Sequence, residues 1–256
     1  MTAPTTTGTF GTSARWLRRP RPVADPRARL VCLPHAGGTA TAYAGWADRL
    51  PDWVELLCVQ YPGRQDRIAE PCLPSVAMMA DAVTAALTPY TDLPLYMFGH
   101  SMGGMVAYEC AVRLEAGSGP SPAALFVSGQ LAPHRHTPFL DGLDDATVEA
   151  AIRDTGWIEP KVLDHPQLRE LVLPMLVADF RAAMAYELAE PVRLRCPIVS
   201  YHGRAEPAAA PQELAAWSEL TSGGATWRRF DGDHFYLRAR EAELVADIVT
   251  RMSNCA

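Results

Sequence analysis

Apolar residues arrive along this chain in short runs separated by stretches where they recur at helical spacing. The runs ARLVCLP (28 to 34), VELLCVQY (54 to 61), LPLYMFG (93 to 99), AALFVSG (123 to 129), CPIVSYHG (196 to 203) and ATWRRF (225 to 230) read as strands. Several are continuous rather than alternating, which suits strands of a parallel sheet covered on both faces. Helical patterns lie near 42 to 50, 75 to 88, 102 to 116, 211 to 220 and 240 to 252, with Pro74 and Pro211 where a first helical turn tolerates proline. Strands alternating with helices predict an α/β fold: a predominantly parallel sheet with helices on both faces.

Residues 140 to 190 break that rhythm. DDATVEAAIRD and LRELVLPMLVADFRAAMAYELA are both helical patterns, with no strand between them. Together they predict a helical insertion, a cap or lid over the active site. Leu168, Leu171, Val172, Met175, Leu176, Phe180 and Met184 form its apolar stripe, which packs under the cap or on the core, and Pro174 is expected to kink or divide the second helix. Residues 1 to 14, rich in Thr, Gly and Ser, are expected to lack fixed structure, leaving one domain over 15 to 256. Arg15, Arg18, Arg19, Arg21, Arg27 and Arg29 follow, read as a solvated arm and edge strand.

Composition narrows the function classes. The 256 residues fit one large α/β domain, and 48% apolar with 20% charged residues is ordinary for a globular chain with a sizeable core. A formal charge of -6 argues against nucleic acid as the main partner. Six cysteines are scattered without a C-x-x-C pair, so neither a zinc site nor a disulfide framework is expected. No run approaches the roughly eighteen apolar residues of a membrane span, and the expected setting is the cytoplasm. With no P-loop and no G-x-G-x-x-G after a strand, no metal and no cofactor is expected.

The sharpest chemical signal is Gly99-His100-Ser101-Met102-Gly103, between the run LPLYMF and the pattern MVAYECAVRL. A serine on so tight a strand-to-helix turn presents its hydroxyl above the sheet, and glycines two residues to either side relieve the crowding. This marks Ser101 as a nucleophile on an α/β-hydrolase fold. A serine hydroxyl needs a base. Of seven histidines, His234 stands in Phe230-Asp231-Gly232-Asp233-His234-Phe235, just after the last predicted strand, where the order Ser, acid, His of this fold places the base. The acid belongs between them at a strand end. Glu206, following CPIVSYHG, is the best candidate; Gln130 at the other strand end carries no charge, and Asp231 and Asp233 lie too close in sequence to reach behind the ring. The oxyanion donors expected are the backbone N–H of Met102 and that of Ala36, in the Gly-rich stretch Leu33-Pro34-His35-Ala36-Gly37-Gly38, which could also be a plain turn.

In order, LPHAGGTATAYAGW, VQYPGRQDR, LYMFGHSMGGMVAYE, LFVSGQLAPH, LVLPMLVADFRAAMAYE and GDHFYL closely resemble the stand-alone type II thioesterases of polyketide and nonribosomal peptide assembly lines, from about residue 28 to 250. The resemblance implies hydrolysis of stalled or incorrect acyl groups on the phosphopantetheine arm of an acyl or peptidyl carrier protein, with no nucleic acid and no membrane as partner. By matching position it implies Ser101 as nucleophile, His234 as base, Ala36 and Met102 as oxyanion donors, and the acid at Glu206, where the family usually has aspartate. The extra methylene requires either a shifted loop or a weakened triad. Because carrier proteins are usually acidic, Arg15, Arg18, Arg19, Arg64 and Arg67 are candidates for a docking surface. Three other readings share the fold: a general carboxylesterase, a catalytically weakened acyl-binding protein, and an acyltransferase to a nucleophile other than water.

Overall fold

Each predicted strand forms, its ends within two residues of those expected. In the computed structural model, which describes residues 13–117, 120–138, 144–154, 158, 160–188, 190–206 and 210–254, the strands are β1 (Leu17–Arg18), β2 (Ala28–Leu33), β3 (Val54–Val59), β4 (Leu95–His100), β5 (Ala124–Ser128), β6 (Ile198–Gly203) and β7 (Ala225–Phe230). They form one sheet in the order β1-β3-β2-β4-β5-β6-β7. All neighbours are parallel except β1, which pairs antiparallel with β3 through Leu17 opposite Val59.

The continuous apolar runs have a direct cause. Within β2, Leu30 and Cys32 face one core cluster while Val31 and Leu33 face the other, and all four are fully buried. A side chain every residue, rather than every second one, is then removed from water. One cluster packs the helices Val76–Leu87 and Met102–Ala116 on the sheet through Met79, Val83, Met105 and Val106. The other packs the helix Glu241–Asn254 and the 3-10 segment Ala40–Asp48 through Leu244, Ile248, Tyr43 and Trp46.

The insertion has a core of its own. Helices Asp145–Asp154, Pro160–Asp164 and Pro166–Met184 enclose Val148, Ile152, Leu163, Met175, Leu176 and Phe180. The short helix Pro160–Asp164 was not expected, and Pro174 does not divide the long one. The predicted apolar stripe is only partly covered: Leu168 and Leu171 remain exposed on the first turns of that helix. Pro74 also stands differently, outside its helix before the cap Ser75, whose side chain accepts from the Met78 N–H at 3.2 Å.

Residues 1–12 of the expected unstructured N-terminus lie outside the described residues, but Ser13 and Ala14 do not fit that expectation. They open a helical turn that runs to Trp16, and Ser13 is buried. The expected edge strand is β1, with Arg15, Arg19 and Arg27 exposed about it, but the arginines are not all solvated. Arg29 is buried, bonding Glu55 at 3.1 Å and Asp92 at 2.6 Å, while Arg18 pairs with Asp66 and Arg19 with the buried Glu55.

Candidate active site

At the C-terminal end of β4 the chain reverses into the helix Met102–Ala116, and Ser101 takes the turn with φ 53° and ψ −124°. Such a backbone costs about 1–3 kcal/mol in a residue with a side chain and persists only where its surroundings enforce it. Here they do. The Ser101 N–H donates to the Ser128 carbonyl of β5 at 2.8 Å, and the Ser101 carbonyl accepts from the Gly104 N–H at 2.7 Å. A Cβ on Gly99 would overlap the Gly103 carbonyl, and one on Gly103 would overlap the Leu33 carbonyl of β2. The flanking glycines therefore do two things: they permit the elbow, and they seat its helix directly against the loop that follows β2.

His100 lies fully buried beneath this turn, sharing a hydrogen bond of 3.0 Å with the Ser128 hydroxyl, which in turn bonds the Tyr236 hydroxyl at 2.6 Å. Burial pushes its pKa well below the ordinary value of 6.5, and His234 and His35 add to that. The His100 ring is 4.8 Å from that of His234, centre to centre. A neutral, fixed imidazole is thus packed below the candidate base.

The structure brings His234 and Glu206 together. His234 Nδ1 stands 2.7 Å from Glu206 Oε1. An ionised carboxylate only accepts, so Nδ1 carries the proton and Nε2 is left with its lone pair, the tautomer a general base requires. The contact depends on the end of β6: a Cβ on Gly203 would overlap the Asp233 carbonyl, so the turn bearing His234 rests directly on that strand end. The second oxygen, Oε2, accepts from the Gly203 N–H at 2.8 Å and lies 3.5 Å from His202 Nδ1. Burial alone would raise the Glu206 pKa, but His202, His234 and the Gly203 N–H outweigh it and hold it down at about 2. The extra methylene of glutamate is absorbed by this turn without loss of the contact. The other carboxylates of the region are engaged elsewhere: Asp231 with Arg204 at 3.1 Å, and Asp233 with the Phe235 N–H at 2.8 Å. The Gln130 backbone carbonyl accepts from the Trp217 indole at 3.1 Å, and its side-chain amide donates to the Leu131 carbonyl at 3.4 Å.

Ala36 sits in the loop after β2, next to the elbow helix by virtue of Gly103. It lines a cavity of about 320 Å³ with His35, Gly37, Ile158, Val162, Val172, Met175, Leu176, Phe180, Phe235 and Arg238. Sequence reasoning missed two residues of this loop's surroundings. Asp179, on the helix Pro166–Met184, is completely buried and accepts from the Gly37 N–H at 2.8 Å. Arg64 is buried against it, donating to both carboxylate oxygens at 2.7 and 2.9 Å. The signal was available for Asp179: it falls three and four residues after Leu176 and Met175, on the apolar face of its helix, where a lone charge demands a partner. Arg64 and Arg67 therefore cannot belong to a docking surface. Arg67 is buried over the Trp16 ring at 4.3 Å and donates to the Gln60 carbonyl at 2.7 Å. Among the described residues no group of three or more His, Cys, Asp or Glu side chains is placed to hold a metal, and no helix is long and apolar enough to cross a membrane.

Comparison with known proteins gives a consistent picture. Residues 28–252 match the family model described as thioesterase domain. The chain is 42% identical over 238 residues to thioesterase PikA5 of Streptomyces venezuelae, covering 92% of this chain and 85% of that protein. Among solved structures it resembles the type II thioesterase BorB from the borrelidin biosynthetic cluster, with TM-score 0.83 and 38% identity over 92% of this chain and 97% of that one. It also resembles YbtT, the type II thioesterase from the yersiniabactin NRPS/PKS pathway, with TM-score 0.82 and 32% identity over 94% and 99%.

Proposed function

The chain belongs to the thioesterase family, an α/β-hydrolase group, and from that premise we propose that it hydrolyses acyl thioesters carried on the phosphopantetheine arm of an acyl or peptidyl carrier protein, in the cytoplasm, as an editing enzyme of polyketide or nonribosomal peptide biosynthesis. The observation that carries the reading is the strained Ser101 elbow in a chain matching that family. In the proposed reaction His234 Nε2 removes the Ser101 proton as the hydroxyl oxygen attacks the thioester carbonyl. The N–H groups of Ala36 and Met102 receive the oxyanion, while Glu206 stabilises the imidazolium through Nδ1. Collapse of the tetrahedral intermediate expels the pantetheine thiol, protonated by His234, and leaves an acyl-Ser101. Water, deprotonated by His234, attacks that ester and releases the carboxylic acid. The helical insertion serves as a lid whose apolar face receives the acyl chain in the cavity beside Ala36.

Support for a carrier-protein partner comes from the relatives whose names place them in such clusters. For docking, Arg15, Arg18 and Arg19 remain as candidates, each paired with a carboxylate: Glu70, Asp66 and Glu55. The test is intact-mass analysis of an acyl-loaded holo carrier protein incubated with wild type, Ser101→Ala and Glu206→Gln, with a matched oxygen ester alongside. Prompt unloading by the wild type alone is expected. Activity of Ser101→Ala within about tenfold of wild type would sink the nucleophile assignment, since loss of a triad member ordinarily costs several powers of ten. Faster cleavage of the oxygen ester would move the protein to the carboxylesterases.

A further inference from the structure

The geometry points to Asp179 and Arg64 as positioning residues that set the oxyanion donor of Ala36, an inference that rests on the donor assignment above. Three hydrogen bonds meet on one short loop. The Gly38 N–H donates to the His35 carbonyl at 2.8 Å, closing a tight turn around Ala36. The Gly37 N–H, in the peptide unit immediately after Ala36, donates to Asp179 Oδ2 at 2.8 Å. Arg64 Nη1 donates to the Gly38 carbonyl at 3.0 Å, and Nη1 and Nη2 both donate to the Asp179 carboxylate. Gly37 has φ +74°, and a Cβ there would overlap Leu176 of the same helix that carries Asp179. Two peptide units that follow the donor, those of the Gly37 N–H and the Gly38 carbonyl, are thus held by a fully buried, doubly bonded ion pair, and the Gly38 N–H holds the donor's own peptide unit through the His35 carbonyl.

A buried ion pair is a poor device for stability alone. Desolvating two charges offsets most of their attraction, and apolar residues of similar volume often do as well or better. What a bidentate pair supplies is direction, because a guanidinium and a carboxylate meet in one plane and at one spacing. Direction is what an oxyanion donor needs: the N–H must already point to where charge develops, and a misplacement of about 1 Å can cost about 100-fold. The pair also links the insertion to the chemistry. Asp179 belongs to the helix Pro166–Met184, whose Leu176 and Phe180 line the cavity beside Ala36, so one helix both shapes that cavity and aims the donor.

Two variants separate aiming from mere support. Asp179→Asn keeps the shape and removes the charge. Arg64→Met/Asp179→Leu removes both charges and leaves neither buried alone, so its melting temperature is expected at or above that of Asp179→Asn. Both are assayed with an acyl-pantetheine thioester, with the matched trifluoromethyl ketone, whose Ser101 adduct places an oxyanion in the hole, and with the matched thioether, which has no carbonyl. For folded double variant and Asp179→Asn alike, kcat is expected to fall about 10- to 100-fold. Ketone affinity should fall by a similar factor, with KM and thioether affinity within about threefold of wild type. Unchanged kcat in the folded double variant overturns the inference, and so does an equal loss of thioether and ketone affinity, which would mark a collapsed cavity instead. A wild type that leaves the thioester intact while binding the thioether overturns the thioesterase reading itself, an outcome visible before any variant is compared.

Discussion

Glu206 reaches His234 Nδ1 at 2.7 Å from a turn whose own backbone N–H, that of Gly203, holds the second carboxylate oxygen at 2.8 Å. The glutamate is therefore fixed at both oxygens, and its extra methylene is used up in closing the turn rather than left slack. Glu206→Gln should retain the fold but present an amide that cannot stabilise an imidazolium, lowering kcat by roughly 10³-fold or more. Glu206→Asp shortens the side chain by about one bond and should fall between, near 100-fold, because the ring is then held about 1 Å out of place. Steady-state kinetics on a pantetheine thioester decide it. Equal activity of wild type and Glu206→Gln would mean that the acid lies elsewhere.

The elbow makes a stability prediction independent of substrate. A Cβ on Gly103 would overlap the Leu33 carbonyl, which is backbone at the end of a central strand and cannot swing aside. Gly103→Ala should therefore push the elbow helix off β2, costing on the order of 3 kcal/mol and moving Met102 away from the Ala36 loop. Thermal melting and kcat should fall together. Gly224 offers the control for crowding: a Cβ there meets nothing within 4 Å, although its φ of +91° leaves a backbone cost, so Gly224→Ala should lose stability while keeping kcat.

The parallel sheet was legible because β2 to β6 are covered on both faces, and that condition writes itself into the sequence as unbroken apolar runs. Ser101, His234 and Glu206 could be chosen as candidates because each stands at a strand end followed by a turn, where spacing alone restricts the choice, and the contact of His234 with Glu206 is the part of that choice visible in the fold. What stayed hidden was the support. Arg64 and Arg67 look like surface charges in the string YPGRQDR, and only the fold shows that Asp179 and Trp16 cover them. The pairing of Arg64 with Asp179 spans more than a hundred residues of sequence, and no local pattern records a contact of that range. Leu168 and Leu171 failed in the opposite sense: helical spacing marks a face, but not how far along the helix a partner extends.

Histidines should make this protein acid-sensitive well above the range of its carboxylates. Desolvation beside Phe235, with the charges of Arg238, His234 and Arg64, holds the His35 pKa down at about 4 against an ordinary 6.5. The native state then refuses a proton that the unfolded chain accepts, so stability is full above pH 6.5 and declines as pH falls from 6.5 toward 4, by at most about 1.4 kcal/mol per pH unit for this one group. His100 and His136, both also lowered by burial, add to the slope. The depressed carboxylate of Glu206 acts in a lower window, from 4.5 down to about 2. Melting temperatures measured from pH 7.5 to 4 should show the decline, and His35→Asn should flatten it by about one group's share. An unchanged slope in that variant would show that His35 takes up its proton in the native state as readily as in the unfolded chain.

Val172 offers the most direct control of which acyl groups are accepted. Its side chain lines the cavity of about 320 Å³ together with Ala36, Met175, Leu176 and Phe180, and it packs against the insertion's own core rather than supporting the sheet. Val172→Phe should fill part of that cavity without altering Ser101, His234 or Glu206. A short acyl chain would still fit, whereas a longer one would lose contact for two or three of its methylenes. At about 0.8 kcal/mol for each methylene returned to water, that amounts to a loss of roughly 15- to 60-fold in kcat/KM for the long chain, against little change for acetyl or propionyl. Assaying a series of acyl-pantetheine thioesters from two to ten carbons would show the break. A uniform loss across the series would instead locate the acyl chain outside this cavity, and identical profiles for the variant and wild type would do the same.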